Sequence, residues 1–364
     1  MKKKKGLGIV GIVLLIVALM FVGYVIYLFA TYYRIDDKVE VEISQADEAN
    51  KLQIGEEISV LAYNVGFGAY SSDYSFFMDG GKYSRAYSKE AVKKNIGQDI
   101  TVLQEYDPDI ILLQEVDKYS TRSHHVDEVS LFHQALPEYS TNFTLNYHSA
   151  YLLYPFSEPH GASNSGILTM SKYEMTSALR RSLPISESVF KFLDLDRCYV
   201  ITRIPTNNGK ELVLFNVHLS AYTVEDDLVS RQIAMLAEDM EKEYKAGNYI
   251  ICGGDFNQDM LGNSAKIFGT ETVSQSWAVP FPTEKLPEGI KVMTEYMTEE
   301  EIYELVPSCR NADSPYIENE SFVTFVDGFL ISDNVAFESF ETIDTGFATS
   351  DHNPILLKVV LQGE

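Results

Sequence analysis

The hydrophobic pattern changes character once, near Tyr33. Before it, Lys2 to Lys5 lead into an uncharged run from Gly6 to Tyr33 that is almost wholly apolar between Ile9 and Ala30. That run exceeds the ~20 residues a helix needs to cross a bilayer. Beyond it the periods shorten. Glu57 to Tyr63 alternates and is rich in β-formers, which predicts a first strand ending at Asn64-Val65-Gly66. Ser88 to Tyr106 repeats at helical spacing, with Val92, Ile96, Ile100 and Leu103 on one face, and Asp107-Pro108-Asp109 stops it. Ile110 to Leu113 is a short buried strand that ends in Gln114-Glu115.

A helix follows near 127–136, and strands are expected near 139–147, 165–171, 174–180, 198–204 and 211–217. A long amphipathic helix runs from Glu225 to Lys245, with Val229, Ile233, Leu236 and Met240 inward. Tyr249 to Cys252 is a buried strand expected to break at Gly253-Gly254, where two glycines allow a sharp turn. Strands near 322–331, 335–343 and 355–361 close the chain. Residues 67–87 carry seven aromatics among Gly, Ser and Asp and read as a long, partly ordered loop. Residues 260–320, which hold the single tryptophan, Trp277, give no clear period. Strands outnumber helices, and helices fall between strand pairs. That predicts an α/β (α+β) body of stacked sheets with outer helices. No internal repeat is visible.

Charge sharpens the division at the amino terminus. The whole chain carries −24, but residues 1–34 contain only basic charges, so the remainder sets 24 basic against 53 acidic residues, a net of −29. Such a body repels polyanions on average. The lysines favour a cytoplasmic amino terminus by the positive-inside rule. The expected organisation is a basic cytoplasmic tail (1–5), a transmembrane signal anchor (6–33), a charged stalk (34–54) and an external catalytic domain (55–364), held at the cell membrane by a single pass. A cleaved signal peptide is the closest rival, but its apolar region is usually shorter and no clear cleavage site follows. Cys198, Cys252 and Cys309 are too few, and odd in number, to imply a disulfide framework.

Candidate chemistry gathers where apolar strands end. The ends are Asn64, Gln114-Glu115, Asn216-Val217-His218, Asp255-Phe256-Asn257, Ser350-Asp351-His352-Asn353-Pro354 and Asp327. One polar strand end is ordinary; six that all carry ligand-type or acid–base side chains are not explained by capping. A carboxylate and a carboxamide two residues apart, as at Asp255 and Asn257, can hold and deprotonate a water.

This ordered set resembles the endonuclease/exonuclease/phosphatase superfamily of metal-dependent phosphoesterases, which includes deoxyribonuclease-like enzymes and neutral sphingomyelinases. The resemblance rests on Asn64, Leu113-Gln114-Glu115-Val116, Gly166 to Lys172, Asn216-Val217-His218-Leu219, Gly254 to Asn257, Asp327 and Ser350 to Pro354, and spans residues 58 to 358. It implies a four-layered α/β-sandwich of two packed mixed sheets with outer helices. It also implies roles. Glu115 matches the principal divalent-metal ligand, with Asn64 beside it and Asp351 supporting the ion or its water. Mg²⁺, or Mn²⁺ in its place, suits such oxygen donors. Asp255 would orient or deprotonate the attacking water, and Asn257 would steady the phosphate or the water. His352 would contact the scissile phosphate, oriented and kept charged by Asp327, and His218 would give a second hydrogen bond. Arg197 and Asn164 are weaker candidates for phosphate binding. Relatives place a further tyrosine or histidine near the phosphate; among Tyr147, His148, Tyr151 and Tyr154 the sequence does not choose.

The substrate stays open at this level. An acidic external body suits a small phosphoester, a nucleotide or a lipid headgroup better than a nucleic-acid polymer. An extracellular deoxyribonuclease is the best-defined alternative, and a binding module of the same fold without chemistry is the rival from another class. No protein partner is implied. The tetralysine, short anchor and few cysteines would suit a bacterial surface protein.

Overall fold

A computed structural model of the chain describes residues 2–186, 196–221, 227–270 and 277–363, with the backbone alone for 2–8. Helix α1 (Lys2–Thr31) contains the stretch Ile9–Thr31, which is long and apolar enough to cross a membrane and has no fully buried residue. Length and composition alone fit a membrane span or a signal sequence equally well.

Fourteen of the body's strands form two seven-stranded sheets. In chain order they begin with β1 (Val39–Glu40), β2 (Ile43–Ser44), β3 (Glu57–Asn64), β4 (Ile110–Asp117), β5 (Ser140–His148) and β6 (Asn164–Ser171). They continue with β7 (Ser177–Ser182), β8 (Cys198–Pro205), β9 (Glu211–His218), β10 (Tyr249–Asp255) and β11 (Ile290–Val292). The last are β12 (Cys309–Arg310), β13 (Val323–Thr324), β14 (Asp327–Ser332), β15 (Val335–Thr342) and β16 (Ile355–Leu361). One sheet runs β1-β7-β8-β9-β10-β14-β11 and the other β15-β16-β3-β4-β6-β5-β2, while β12 and β13 pair separately.

Each sheet is mixed, with one parallel pair at its centre: β9 with β10, and β3 with β4. The two sheets repeat the same order of parallel and antiparallel neighbours, so the fold has two similar halves that no residue period in the sequence reveals.

Alternation decides which side chains fill which layer. Ile58, Val60, Ala62, Ile110 and Leu112 point between the sheets and join Leu214, Ile251 and Phe329 in one core. Leu61, Tyr63, Ile111 and Leu113 point outward into a second core under α2 (Lys89–Tyr106) and α3 (Glu128–Ala135). On the far side, α4 (Leu228–Lys245) lays Ile233, Leu236 and Met240 against the other sheet. The first residues expected of α4, from Glu225, lie outside the described residues. The result is the four-layered sandwich.

Two expectations outside the site differ from the structure. The segment 34–54, read as a stalk, is largely part of the fold. Val39-Glu40-Val41-Glu42-Ile43 alternates, β1 pairs with the edge of one sheet and β2 with the edge of the other. The buried Arg180 donates to the carbonyls of Ile35, Asp36, Leu145 and Asp196, and so fastens this segment down. The acidic positions hid a pattern in which Val41 and Ile43 pack inward. The second difference is the loop 67–87. Phe67, Tyr70, Tyr74 and Phe76 are buried and meet edge to face, an arrangement aromatic rings favour beyond simple burial.

Asp99 on α2 ties this layer to the carboxyl-terminal loop. Tyr63 and Thr349 both bond its Oδ1, and burial pushes the acid up to about 7 despite those hydroxyls. A group whose folded pKa lies above its unfolded one stabilises the fold below the unfolded value, and that contribution is lost as pH rises through the folded value. The melting-temperature advantage of Asp99→Asn is therefore expected to grow as pH is raised from about 4 to about 7, and then to level off. An advantage that does not change with pH in calorimetry would contradict this.

Candidate active site

Because β3 and β4 are parallel, and β9 and β10 likewise, four strands finish at the same edge of the sandwich. There they open on a cavity of about 390 Å³ lined by Asn64, Glu115, His218, Asp255, Asn257, Asp351 and His352. Several hydrogen bonds cross between the sheets at this edge. Asn64 Nδ2 donates to Asp255 Oδ2 at 3.0 Å, and Gln114 Nε2 donates to Asn216 Oδ1 at 2.8 Å.

The glycines permit this approach. A Cβ on Gly254, whose φ is +137°, would stand 2.3 Å from the Val217 carbonyl oxygen and 2.9 Å from Gln114 Nε2. On Gly253 it would meet the Phe329 ring at 2.4 Å. The strand does not break at these residues, as the sequence suggested; β10 continues through them to Asp255. Glycine serves close packing here, and the turn comes at Asn257, whose φ is +52°.

Asp255 is buried and held on both oxygens: the Asn257 backbone N–H donates to Oδ1 at 2.8 Å, and Asn64 occupies Oδ2. Burial pushes it up to about 7, with the Asp327 charge adding to the rise and His352 opposing it. Asp327 lies directly opposite Asp255 in the β10–β14 register. His352 stands between them, Nδ1 at 2.8 Å from Asp327 Oδ2 and Nε2 at 3.8 Å from Asp255 Oδ2. Burial would lower the imidazole, but Asp327, Cys309 and Asp255 outweigh it and hold His352 well above the ordinary histidine value.

His218 behaves oppositely. Burial first, and then the Arg197 and His352 charges, keep it well below the ordinary value and neutral. Its Nε2 lies 3.4 Å from Asp255 Oδ2, and Asn146 Nδ2 contacts its Nδ1 at 3.3 Å. One charged and one neutral imidazole therefore flank the same carboxylate.

Glu115 reaches the cavity through a bulge. Leu113 pairs with Leu168 and Val116 with Gly166, so β4 carries one residue more than β6 between these pairs, and Glu115 takes φ +54°. A bulge re-aims a side chain in this way, and such a φ on a non-glycine residue is a local strain. Arg122 Nη2 lies 3.6 Å from Glu115 Oε2 while Arg122 forks onto Asp117 at 3.0 and 2.9 Å, with its guanidinium 3.7 Å over the Phe67 ring.

Glu115, Asn64 and Asp351 bring oxygen donors to one cavity, which fits a hard divalent cation. Burial raises Asp351 against the opposing charges of His352 and Arg310, and the neighbouring Glu115 charge adds to the rise, so a cation here would relieve a pair of acids. Ligand atoms of Asp255, Asp327 and His352 also lie within 4.8 Å of one another. That trio suits a metal less well, because a ligating histidine must be neutral and His352 is held charged.

Arg197 lines the cavity as well, whereas Asn164 does not: its Oδ1 is paired with His148 Nδ1 at 2.8 Å. Of the four loop candidates, Tyr147 alone lines the cavity. Arg122, Arg310 and Cys309 also line the cavity and Asn146 touches His218, although no pattern in the sequence marks them as site residues. Cys309 Sγ lies 3.6 Å from His352 Nε2, and both Cys309 and Arg310 fall in the stretch without a period. For Arg122, the following pattern after Asp117 offered no signal.

Comparison with known proteins agrees with this geometry. The profile of the Endonuclease/Exonuclease/phosphatase family matches residues 61–352. No curated protein matches the chain. Among solved structures, an endonuclease/exonuclease/phosphatase from Beutenbergia cavernae aligns at 14% identity over 84% of this chain and 72% of its own, with TM-score 0.56. ANGEL2, a 2′,3′-cyclic phosphatase in complex with adenosine-2′,3′-vanadate, aligns at 15% over 89% and 99%, TM-score 0.55. D. rerio TDP2, complexed with a single-strand DNA product, aligns at 16% over 84% and 99%, TM-score 0.54. At these identities the structures show a shared fold. The chain belongs to the Endonuclease/Exonuclease/phosphatase family.

The Asp327–His352 pair yields a direct test. By NMR, His352 is expected to stay charged well above its ordinary value, and to lose its proton at clearly lower pH in Asp327→Asn, where burial is less opposed. Identical titration in both proteins would contradict the assigned pairing.

Proposed function

We propose that this chain is a divalent-metal-dependent phosphoester hydrolase, held in a membrane by α1 with its catalytic body on the outer side. The observation that carries the reading is the Asp255 carboxylate. It is buried, pushed up to about 7, and gripped by Asn64 and Asn257 between a charged and a neutral histidine. A base with that value can take a proton from water near neutrality.

In this reading Glu115, Asn64 and Asp351 hold the cation. When bound, it neutralises charge on the phosphoryl oxygens. Asp255 orients a water toward phosphorus and accepts its proton as the new P–O bond forms and the ester P–O bond breaks. His352, its charge maintained by Asp327, donates to a phosphoryl oxygen and stabilises the growing negative charge. His218 donates from its ring N–H. Asn257, fixed by donation from Nδ2 to the Leu219 carbonyl at 3.0 Å, keeps the Asp255 turn in place. Arg197 and Tyr147 form the wall beside the phosphate. The departing oxygen leaves as an alcohol after protonation by water.

The acidic body supports a small or headgroup phosphoester over a long polyanion. The amino-terminal lysines support an internal tail and an external body. The full chain in detergent, with Mg²⁺ or Mn²⁺, is expected to turn over one class among a phosphomonoester, a nucleic acid and a phospholipid. Glu115→Ala and His352→Ala are each expected to reduce that turnover by at least ~10²–10³-fold. Undiminished turnover in either variant would remove its residue from the mechanism, and nucleic acid as the substrate turned over would favour the deoxyribonuclease alternative.

A further inference from the structure

The end of α1 is fastened to a loop at the mouth of the cavity. Tyr24 Oη donates to the Tyr151 carbonyl at 3.2 Å and accepts from the Leu153 N–H at 3.1 Å. Tyr27 Oη accepts from the Tyr151 N–H at 3.0 Å. Nearby, the Tyr33 ring lies 4.6 Å from the His148 ring. The helix thus supplies the hydrogen-bond partners that the loop backbone needs at 151–153.

The same loop exposes apolar side chains. Phe156 is 84% exposed and Tyr154 64%, and Met78, on a neighbouring turn, is 60% exposed. Large apolar groups exposed together mark an interaction surface. The helix indicates what covers them. The apolar stretch Ile9–Thr31 has 23 residues, while ~20 residues fill the ~30 Å hydrocarbon layer. The uncharged run begins earlier, at Gly6, directly after Lys2 to Lys5, and ~20 residues counted from there reach Val25. With the lysines in the inner headgroup layer, Tyr24 and Tyr27 fall near the outer boundary of the membrane, where tyrosine rings gather. A loop hydrogen-bonded to them stands at the same depth.

The loop is also continuous with the cavity. The Phe77 ring lies 5.9 Å from Tyr154 and 5.7 Å from His160, and both His160 and Met78 line the cavity. His160 Nδ1 is bonded to the Ser84 carbonyl at 2.9 Å, which joins the two rim segments.

We infer that Tyr154, Phe156 and Met78 seat on the headgroup layer of the membrane that holds α1, and that the cavity takes the phosphoester headgroup of a lipid in that membrane. The substrate class rests on the phosphoesterase reading above; the seating rests on the helix and loop geometry. A lipid need not leave the bilayer to reach such a site, because the mouth opens at headgroup level. Exposed rings would add to binding through their apolar area, as for other interfacial segments.

The test uses the full chain reconstituted in phosphatidylglycerol/phosphatidylethanolamine vesicles. All three native cysteines are buried, so an environment-sensitive fluorophore can be placed at Phe156→Cys. Its emission is expected to shift to the blue and to be quenched by lipids carrying a spin label near the headgroup. In parallel, Tyr154→Ser/Phe156→Ser is compared with the unsubstituted chain. Turnover of vesicle phospholipid is expected to fall about tenfold or more, with turnover of soluble bis(p-nitrophenyl) phosphate unchanged.

Absence of quenching would overturn the seating. Equal loss on both substrates, or turnover of the soluble ester without any phospholipid, would overturn the lipid substrate while leaving the phosphoesterase reading in place. Quenching with no turnover of either ester would sustain the seating and overturn the lipid-hydrolase assignment.

Discussion

Two acids facing each other across a pair of buried strands set the terms for this site. Asp255 and Asp327 are register partners on β10 and β14, and their ligand oxygens lie within 4.8 Å of a common histidine and of each other. Two full negative charges at that distance repel by about 3–4 kcal/mol even at an effective dielectric constant of ~20. The fold holds them by placing the charged His352 between them. The backbone follows that need. Ser308 Oγ accepts from the N–H groups of Val326 and Asp327 at 2.9 and 3.1 Å. Ser350 Oγ donates to the Asn64 carbonyl at 2.7 Å, which holds the histidine loop against β3. Asp99, through Thr349, fixes the same loop from the helical layer.

The duplicated sheet order explains why these groups meet. Each half ends a parallel strand pair at the same edge, one presenting Asn64 and Gln114, the other Asp255 and Asn216. Equivalent positions then bond across the interface, Asn64 to Asp255 and Gln114 to Asn216. The site is thus a seam between two similar halves, and the glycines of β10 let the sheets close on it.

Much of this was legible in the sequence because buried strands announce both their course and their ends. Ile110 to Leu113 had to be covered on both faces, so Gln114-Glu115 had to stand at an edge; the same reasoning located Asp255, His218 and Asn64. What stayed hidden depended on contacts distant in the chain. No local signal separates Asn164, which pairs with His148, from Asn146, which touches His218. The bulge that aims Glu115 follows from the β4–β6 register, not from its neighbours in sequence. Val39 to Ile43 concealed two short edge strands behind acidic residues. Cys309 and Arg310 sit in a stretch whose order comes from packing against the His352 loop and the aromatic segment near Tyr70.

The position of a bound divalent ion is the deciding feature of the site, because the charged His352 cluster and the Glu115 cluster share one cavity. Anomalous scattering from crystals of the protein grown with Mn²⁺ would settle the choice. The predicted result is one ion about 2.1 Å from a Glu115 oxygen, with Asn64 and Asp351 beside it and the Asp327–His352 hydrogen bond intact. An ion seated among Asp255, Asp327 and His352 would contradict the account, because His352 would then have to be neutral and ligating.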